Sequence, residues 1–297
     1  MNVLVNGFFP DRNFGDDLFL KFSTYYCKNP AIRNIEKDKR NFFQWLLYLY
    51  KLDCYIWLGG TFIDKDSTLK TILSMLFEFS LLKLFNVKLE FKAVGFSSEV
   101  DFFKFFSQKY IVFISNSLSV RDIKSYKFCE NYNSRVVLVK DLVLEHFEDY
   151  MGDDIFLDKP TTDDFRYSTL VCLDKEASIP YASKVKNEVS NLNFFTIQIA
   201  SPYVKDRQEL ISKKFIKQLV DKPKFKLTDY QSAGNVLHEI NQSQLIITDR
   251  LHVAICAVLL KRKVYLIAVS EKLKTAHLLF DNDVSYYLKI IKAESKD

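Results

Sequence analysis

The stretch Gln244 to Ile267, QLIITDRLHVAICAVLLKRKVYLI, decides how the chain is read. A β-branched run (Leu245 to Thr248) precedes the polar knot Asp249-Arg250-Leu251-His252, then an apolar helical run, Val253 to Leu260. A basic turn, Lys261 to Lys263, leads to a second β-rich run, Val264 to Ile267. Strand, loop, helix and strand in this order form the repeating unit of a parallel α/β sheet. Open sheets of that kind bind ligands at the carboxyl ends of their strands. Here that loop brings Arg250 and His252 to a helix start, where free N–H groups favour an anion.

Working outward, the alternation continues in both directions. Strands are expected at Asn2–Asn6, Cys54–Leu58, Glu90–Val94, Ile111–Ile114 and Val136–Val139, with helices between them. After β1 comes Asn13-Phe14-Gly15-Asp16-Asp17, in which Gly15 allows close approach or positive φ and Asp16 is a good N-cap for a helix from Leu18 to Cys27. Gly59-Gly60-Thr61 follows a buried strand, and paired glycines there mean close backbone approach to a ligand or to a crossing helix. Acidic Tyr150 to Arg166, with Gly152 and Pro160, is the linker candidate. The alternation resumes at Thr169 and ends in a tail, Glu271 to Ile291, expected to be largely helical. Two domains follow: 1–155, and 156–297 with its last helix free to pack back on the first.

Composition narrows the class. The chain has 297 residues, 48% hydrophobic and 27% charged, as in a folded globular protein. Phenylalanine outnumbers glycine 27 to 7, which predicts a bulky aromatic core. The aromatic helices around Trp45 and Met75 are read as part of that core. A net charge of +5 without a basic stripe excludes a nucleic-acid footprint but suits an anionic substrate. Cysteines 27, 54, 129, 172 and 256 stand singly, which points to a reducing compartment and offers no metal site. No apolar run is long enough to span a bilayer, so a cytoplasmic location is expected, with at most peripheral contact at the inner face of the membrane.

Four segments carry a family resemblance: Asn13-Phe14-Gly15-Asp16-Asp17, Leu58-Gly59-Gly60-Thr61, Ser119-Val120-Arg121-Asp122 and Ile247-Thr248-Asp249-Arg250-Leu251-His252. In this order they resemble the polysaccharide pyruvyl transferases. The resemblance implies two Rossmann-like, doubly wound α/β domains facing across a cleft, a GT-B-like fold. It implies transfer of the carboxyethylidene unit of phosphoenolpyruvate, with no cofactor or metal, onto two hydroxyls of a sugar. The acceptor is then a lipid-linked capsule, exopolysaccharide or cell-wall glycan precursor. Val253 departs from the glycine that often follows the family histidine.

Ketal formation needs cationic anchors for a phosphate and a carboxylate, and a group that moves protons. Arg250, Arg121 and Lys272 are the donor-binding candidates, and Arg121 is equally well one half of an ordinary ion pair with Asp122 or another neighbour. His252 is the acid–base candidate, since imidazole titrates near neutrality. Asp16 is a further candidate for orienting a hydroxyl or completing a proton relay. Asn13, Gly15, Gly59 and Gly60 are the acceptor or loop candidates. Two other functions fit the same architecture: a nucleotide-sugar glycosyltransferase, and a non-catalytic carbohydrate-binding relative.

Overall fold

The computed structural model describes residues 1–7, 13–26, 31–32, 41–63, 67–97, 100–151, 168–189, 194–274, 276–280 and 284–292. The chain divides into two compact units. One comprises Met1–Pro10 and Phe19–Glu145; the other comprises Asp11–Leu18 and His146–Asp297. The candidate linker beyond Met151 lies outside the described residues.

The first unit begins with β1 (Val3–Asn6), the part of α1 (Phe14–Tyr26) from Phe19 onward, β2 (Ala31–Ile32), α2 (Phe42–Tyr50), β3 (Cys54–Leu58) and β4 (Thr61–Phe62). It continues with α3 (Leu69–Leu84), β5 (Lys88–Phe96), α4 (Phe102–Ile114), β6 (Ser117–Val120), α5 (Ile123–Cys129), β7 (Val136–Leu138) and the first turn of α6 (Leu142–Met151), up to Glu145. The strands run in the order β2-β1-β3-β5-β6-β7, with β4 joined to β5, and every pairing is parallel. The chain therefore winds one way from β1 to β2 and then back across β1 to β3. The loop after β3, which carries Gly59, leaves the sheet where this direction reverses. All five residues of β3 are buried, as a strand covered on both faces requires. The phenylalanine excess is visible beside it: Phe62 meets Trp57 and Phe91 edge-on at 4.9 and 5.5 Å, and Phe79 meets Phe91 at 5.6 Å.

The second unit contains β8 (Ser168–Cys172), a 3₁₀ turn at Glu176–Tyr181, α7 (Ala182–Val189), β9 (Phe194–Gln198), α8 (Lys205–Leu219) and β10 (Lys224–Thr228). Then come α9 (Ala233–Asn241), β11 (Leu245–Thr248), α10 (Leu251–Leu259), β12 (Lys263–Ile267), α11 (Glu271–Lys274) and β13 (Leu288–Ile291). The order is β10-β9-β8-β11-β12-β13, again all parallel. Counted within the unit this is 3-2-1-4-5-6, the dinucleotide-fold order, whose reversal falls between β8 and β11.

Three expectations from the sequence are corrected. Ile111–Ile114 is the last turn of α4 and not a strand: Asp101 caps the helix by accepting from Lys104 N at 2.9 Å, and Ile111 and Val112 are buried. Packing of the helix overrides the β-branched preference, and the strand is Ser117–Val120 instead. The helix after β1 starts at Phe14, because Asn13 is its cap: Asn13 Oδ1 accepts from Gly15 N at 3.1 Å and Asp16 N at 3.2 Å. Asp16 sits in the first turn, where its carboxylate accepts from the Asn13 amide. Finally, the tail is not largely helical, since Leu288–Ile291 pairs in register with β12.

Arg121 follows β6 and is buried. Its Nη1 donates to Asp141 Oδ2 at 2.9 Å, with side chains 5% and 0% exposed, and its Nη2 reaches Thr61 Oγ1 at 3.4 Å. Of the two readings of this residue, the geometry is that of an ion pair, with a partner further along the chain than Asp122. Removing one member of such a pair leaves the other charge buried alone. Arg121→Ala is therefore expected to lower unfolding stability by about 3–5 kcal/mol, measured by urea denaturation. A loss below about 1 kcal/mol would place the pair in the energetic class of surface bridges.

Candidate active site

The reversal between β8 and β11 is held by two side chains of the Ile247–His252 motif. Thr248 Oγ1 donates to Cys172 O at 2.8 Å and accepts from Arg250 N at 3.0 Å, tying the ends of the two strands together. The buried Asp249 carboxylate accepts from Asp174 N (2.9 Å) and Lys175 N (2.8 Å) in the loop leaving β8, and from Ser178 Oγ (2.7 Å) in the 3₁₀ turn that follows. Burial pushes the Asp249 carboxyl above its ordinary value, while these bonds and the charge of Arg250 oppose that rise. Burial also pushes the neighbouring Cys172 thiol up to about 12, which makes it an inert core residue.

That loop positions Asp174, whose carboxylate grips two arginines. Arg250 Nη1 donates to its Oδ2 at 2.9 Å, and Arg207 donates to its Oδ1 through Nε at 3.1 Å and Nη2 at 2.5 Å. Asp174 is buried, yet the Arg250 and Arg207 side chains are 25% and 52% exposed. Each guanidinium keeps further N–H donors beyond those given to Asp174. Arg250 occupies the N-cap position of α10 without capping it, and Arg207 lies in the first turn of α8. The result is one buried acid presenting two arginines at the carboxyl edge of the sheet, with a net positive charge and two helix N-termini behind it. Burial alone would raise the Asp174 pKa; Arg250 and Arg207 more than offset it and hold the carboxyl below its usual range.

His252, in the first turn of α10, is seated against Gly15. A Cβ built on Gly15 would lie 2.8 Å from His252 Cε1 and 2.9 Å from Cγ, and closer still to Nδ1. The glycine is thus required by close approach, and its φ is not in the left-handed region. The same segment is fastened by Phe14 N, which donates to Ala200 O at 2.9 Å, and by Asp17, which accepts from the Tyr230 hydroxyl. Ala200 N in turn donates to the buried Gln208 Oε1 at 2.9 Å.

Of the residues expected from the sequence, Asn13, Gly15, Asp16, Arg250 and His252 belong to this one unit. Arg121, Gly59 and Gly60 belong to the other. Gly59 and Gly60 have φ of +57° and +77°, and a Cβ on Gly59 would strike the Phe19 ring at 2.6 Å, so the neighbour there is the crossing helix α1. Lys272 lies in α11, after β12. Sequence reasoning missed Asp174 and Arg207. The signal for both was position: a carboxylate just past a buried strand, and an arginine at the start of the next helix pattern. Among the described residues no His, Cys, Asp and Glu side chains group as metal ligands. A surface recess lined by Phe194, Asp221 and Lys224 lies at the amino ends of β9 and β10, the opposite edge from the arginines.

The fold is shared with solved structures. UDP-GlcNAc 2-epimerase from Methanocaldococcus jannaschii superposes with a TM-score of 0.57 at 13% identity, over 98% of this chain and 88% of that one. The UDP co-structure of S. aureus MnaA gives 0.58 at 12% identity, over 98% and 83%. These similarities define the class, an α/β protein of two parallel-sheet, Rossmann-like units with a GT-B-like fold. The sequence model of the polysaccharide pyruvyl transferase family matches residues 6–271, and the chain belongs to that family. No curated protein matches it significantly.

Two outcomes follow from the geometry. Gly15→Ala should destabilise the wild-type chain by the clash with His252. In a His252→Ala background the same change should be neutral or stabilising, because alanine is the better helix former by about 1 kcal/mol. A double-mutant cycle on urea midpoints reads this sign change, and equal effects in both backgrounds would contradict the contact. The second outcome concerns acid. A carboxylate with a depressed folded pKa contributes stability above its ordinary value and loses it as pH falls through the folded one. The stability gap between wild type and Asp174→Asn should therefore be full above about pH 5 and shrink below about pH 4. A gap that widens in acid would reverse the assignment.

Proposed function

We propose that this protein transfers a pyruvyl unit from phosphoenolpyruvate to a sugar of a capsule, exopolysaccharide or cell-wall glycan precursor, forming a cyclic ketal and releasing phosphate. The observation that carries the reading is the pair Arg207 and Arg250, presented by one buried carboxylate beside the turn that holds His252. A phosphate monoester fits two guanidinium forks better than any single cation. The N-terminal end of α10 favours the same negative charge.

In this proposal Arg207 and Arg250 take the donor phosphate, and Lys272 is the candidate for its carboxylate. Arg121 is left out, because its guanidinium is engaged by Asp141. His252 delivers a proton to C3 of the enol, which makes C2 electrophilic. One sugar hydroxyl then adds to C2 and gives up its proton to the imidazole, which restores the proton delivered to C3. The second hydroxyl displaces phosphate from the same carbon and also loses a proton, which leaves with the phosphate. Asn13 and Asp16 position the histidine by fixing the turn in which Gly15 bears on it. Gly59 and Gly60 are assigned to an acceptor loop, at the carboxyl edge where parallel sheets take ligands. The acceptor is lipid-linked in this reading, and no metal takes part.

The test is release of inorganic phosphate from phosphoenolpyruvate on addition of a glycan precursor, alongside release of nucleotide from UDP-sugars. Phosphate release is expected, with His252→Ala reducing turnover by about 10²–10⁴-fold. Arg207→Ala and Arg250→Ala should raise the KM for phosphoenolpyruvate as well. Nucleotide release without phosphate release would make the protein a glycosyltransferase. Near-wild-type turnover by the His252 variant would remove the histidine from the chemistry.

A further inference from the structure

The first unit carries three helices whose outward faces are apolar. α2 reads FFQWLLYLY, and Leu49 is its one buried residue. Phe43, Leu47 and Tyr50, spaced i, i+4, i+7, are exposed along one side of it. On α3 the exposed series is Leu69, Leu73, Phe77 and Leu84, while Ile72, Phe79 and Leu82 on the other side enter the core. On α4 it is Phe102, Phe106, Tyr110 and Phe113, against buried Ile111 and Val112. Exposure is not marginal: Phe43, Leu84, Phe102 and Phe113 are 75%, 76%, 78% and 75% accessible.

The stripes are neighbours. Trp45 of α2 stacks on Phe77 of α3 at 6.5 Å, and Ser80 of α3 shares a 2.8 Å hydrogen bond with the Tyr110 hydroxyl of α4. Trp45 and Met75 pack on the core, as the aromatic pattern predicts, so each helix has one face for the core and a second apolar face outside. An apolar face of this breadth marks an interaction surface.

Charge selects the partner. The three helices carry Lys70, Lys83, Lys104 and Lys109, and Lys51 ends α2. Their one acid, Glu78, is buried, and Asp101 at the cap of α4 pairs with Lys104 at 3.7 Å. Lys109 lies over the Phe105 and Phe106 rings at 4.4 and 5.1 Å, a cation set at the border of an aromatic stripe. A second copy meeting this face through a two-fold axis would set lysines against lysines. No described helix is long and apolar enough to cross a membrane, so insertion across a bilayer is not on offer. Aromatic and leucine side chains flanked by lysines are the composition that lies in the headgroup region of an anionic bilayer.

We propose that α2, α3 and α4 form a peripheral docking surface for anionic lipid membrane, with the aromatic stripes in the headgroup–acyl boundary and the lysines on the lipid phosphates. This does not depend on the pyruvyl-transfer assignment, and its test uses neither donor nor acceptor. The full chain is sedimented with phosphatidylglycerol–phosphatidylcholine vesicles and with phosphatidylcholine vesicles alone. Binding is expected to the anionic vesicles, to weaken roughly tenfold or more without the anionic lipid, and to weaken again at high salt. A Phe43→Ser, Phe102→Ser, Phe113→Ser variant should lose binding with an unchanged melting curve, since these side chains are already exposed. A Lys70→Glu, Lys109→Glu variant should lose the preference for anionic lipid. Equal binding by wild type and both variants, or no binding by wild type, overturns the proposal. So does a wild-type dimer that the phenylalanine variant converts to monomer without any vesicle binding, which would assign the face to a second copy.

Discussion

The second unit depends on a buried carboxylate that faces away from solvent chemistry. Asp249 accepts hydrogen bonds from two successive backbone N–H groups of the β8 loop and a serine hydroxyl of the 3₁₀ turn that follows. Removing a carboxylate from water costs several kcal/mol, so this arrangement persists only because the donors converge on it. Its consequence is positional. With the β8 loop fixed to the end of β11, Asp174 is held where it reaches both Arg250 and Arg207. One acid thus organises the loop and the next organises the cations, and the strand order places both at the reversal point of the sheet.

The same logic explains why the first turn of α1 matters. Its backbone and side chains fasten to residues after β9 and β10, and Gly15 gives the imidazole of His252 its seat. Any side chain at that position would fill the space the imidazole occupies. A motif near the amino terminus and one near the carboxyl terminus are therefore parts of a single packing arrangement.

Some of this was legible in the sequence. Leu245–Thr248 and the helix after it could be read directly, because a β-branched run and a long apolar helix have distinct signatures. Gly15 was legible as a close approach, but the group it approaches was not, since nothing local points to the far end of the chain. Asp174 and Arg207 needed the 3-2-1-4 strand order to be seen as neighbours, and one sequence does not display strand order. Ile111–Ile114 reads as a strand because β-branched residues in the buried last turn of a helix look like one until the Asp101 cap is weighed. The helices α2 and α3 read as core because apolar residues surround them on both sides, a pattern that describes burial and surface docking equally.

The most direct measurement of the central claim is a crystal structure of the protein with phosphoenolpyruvate bound. The donor phosphate is expected within hydrogen-bond distance of both Arg207 and Arg250, with Asp174 still holding the two guanidinium groups and His252 beside the enol carbon. A donor bound elsewhere, with those arginines contacting only Asp174, would contradict it.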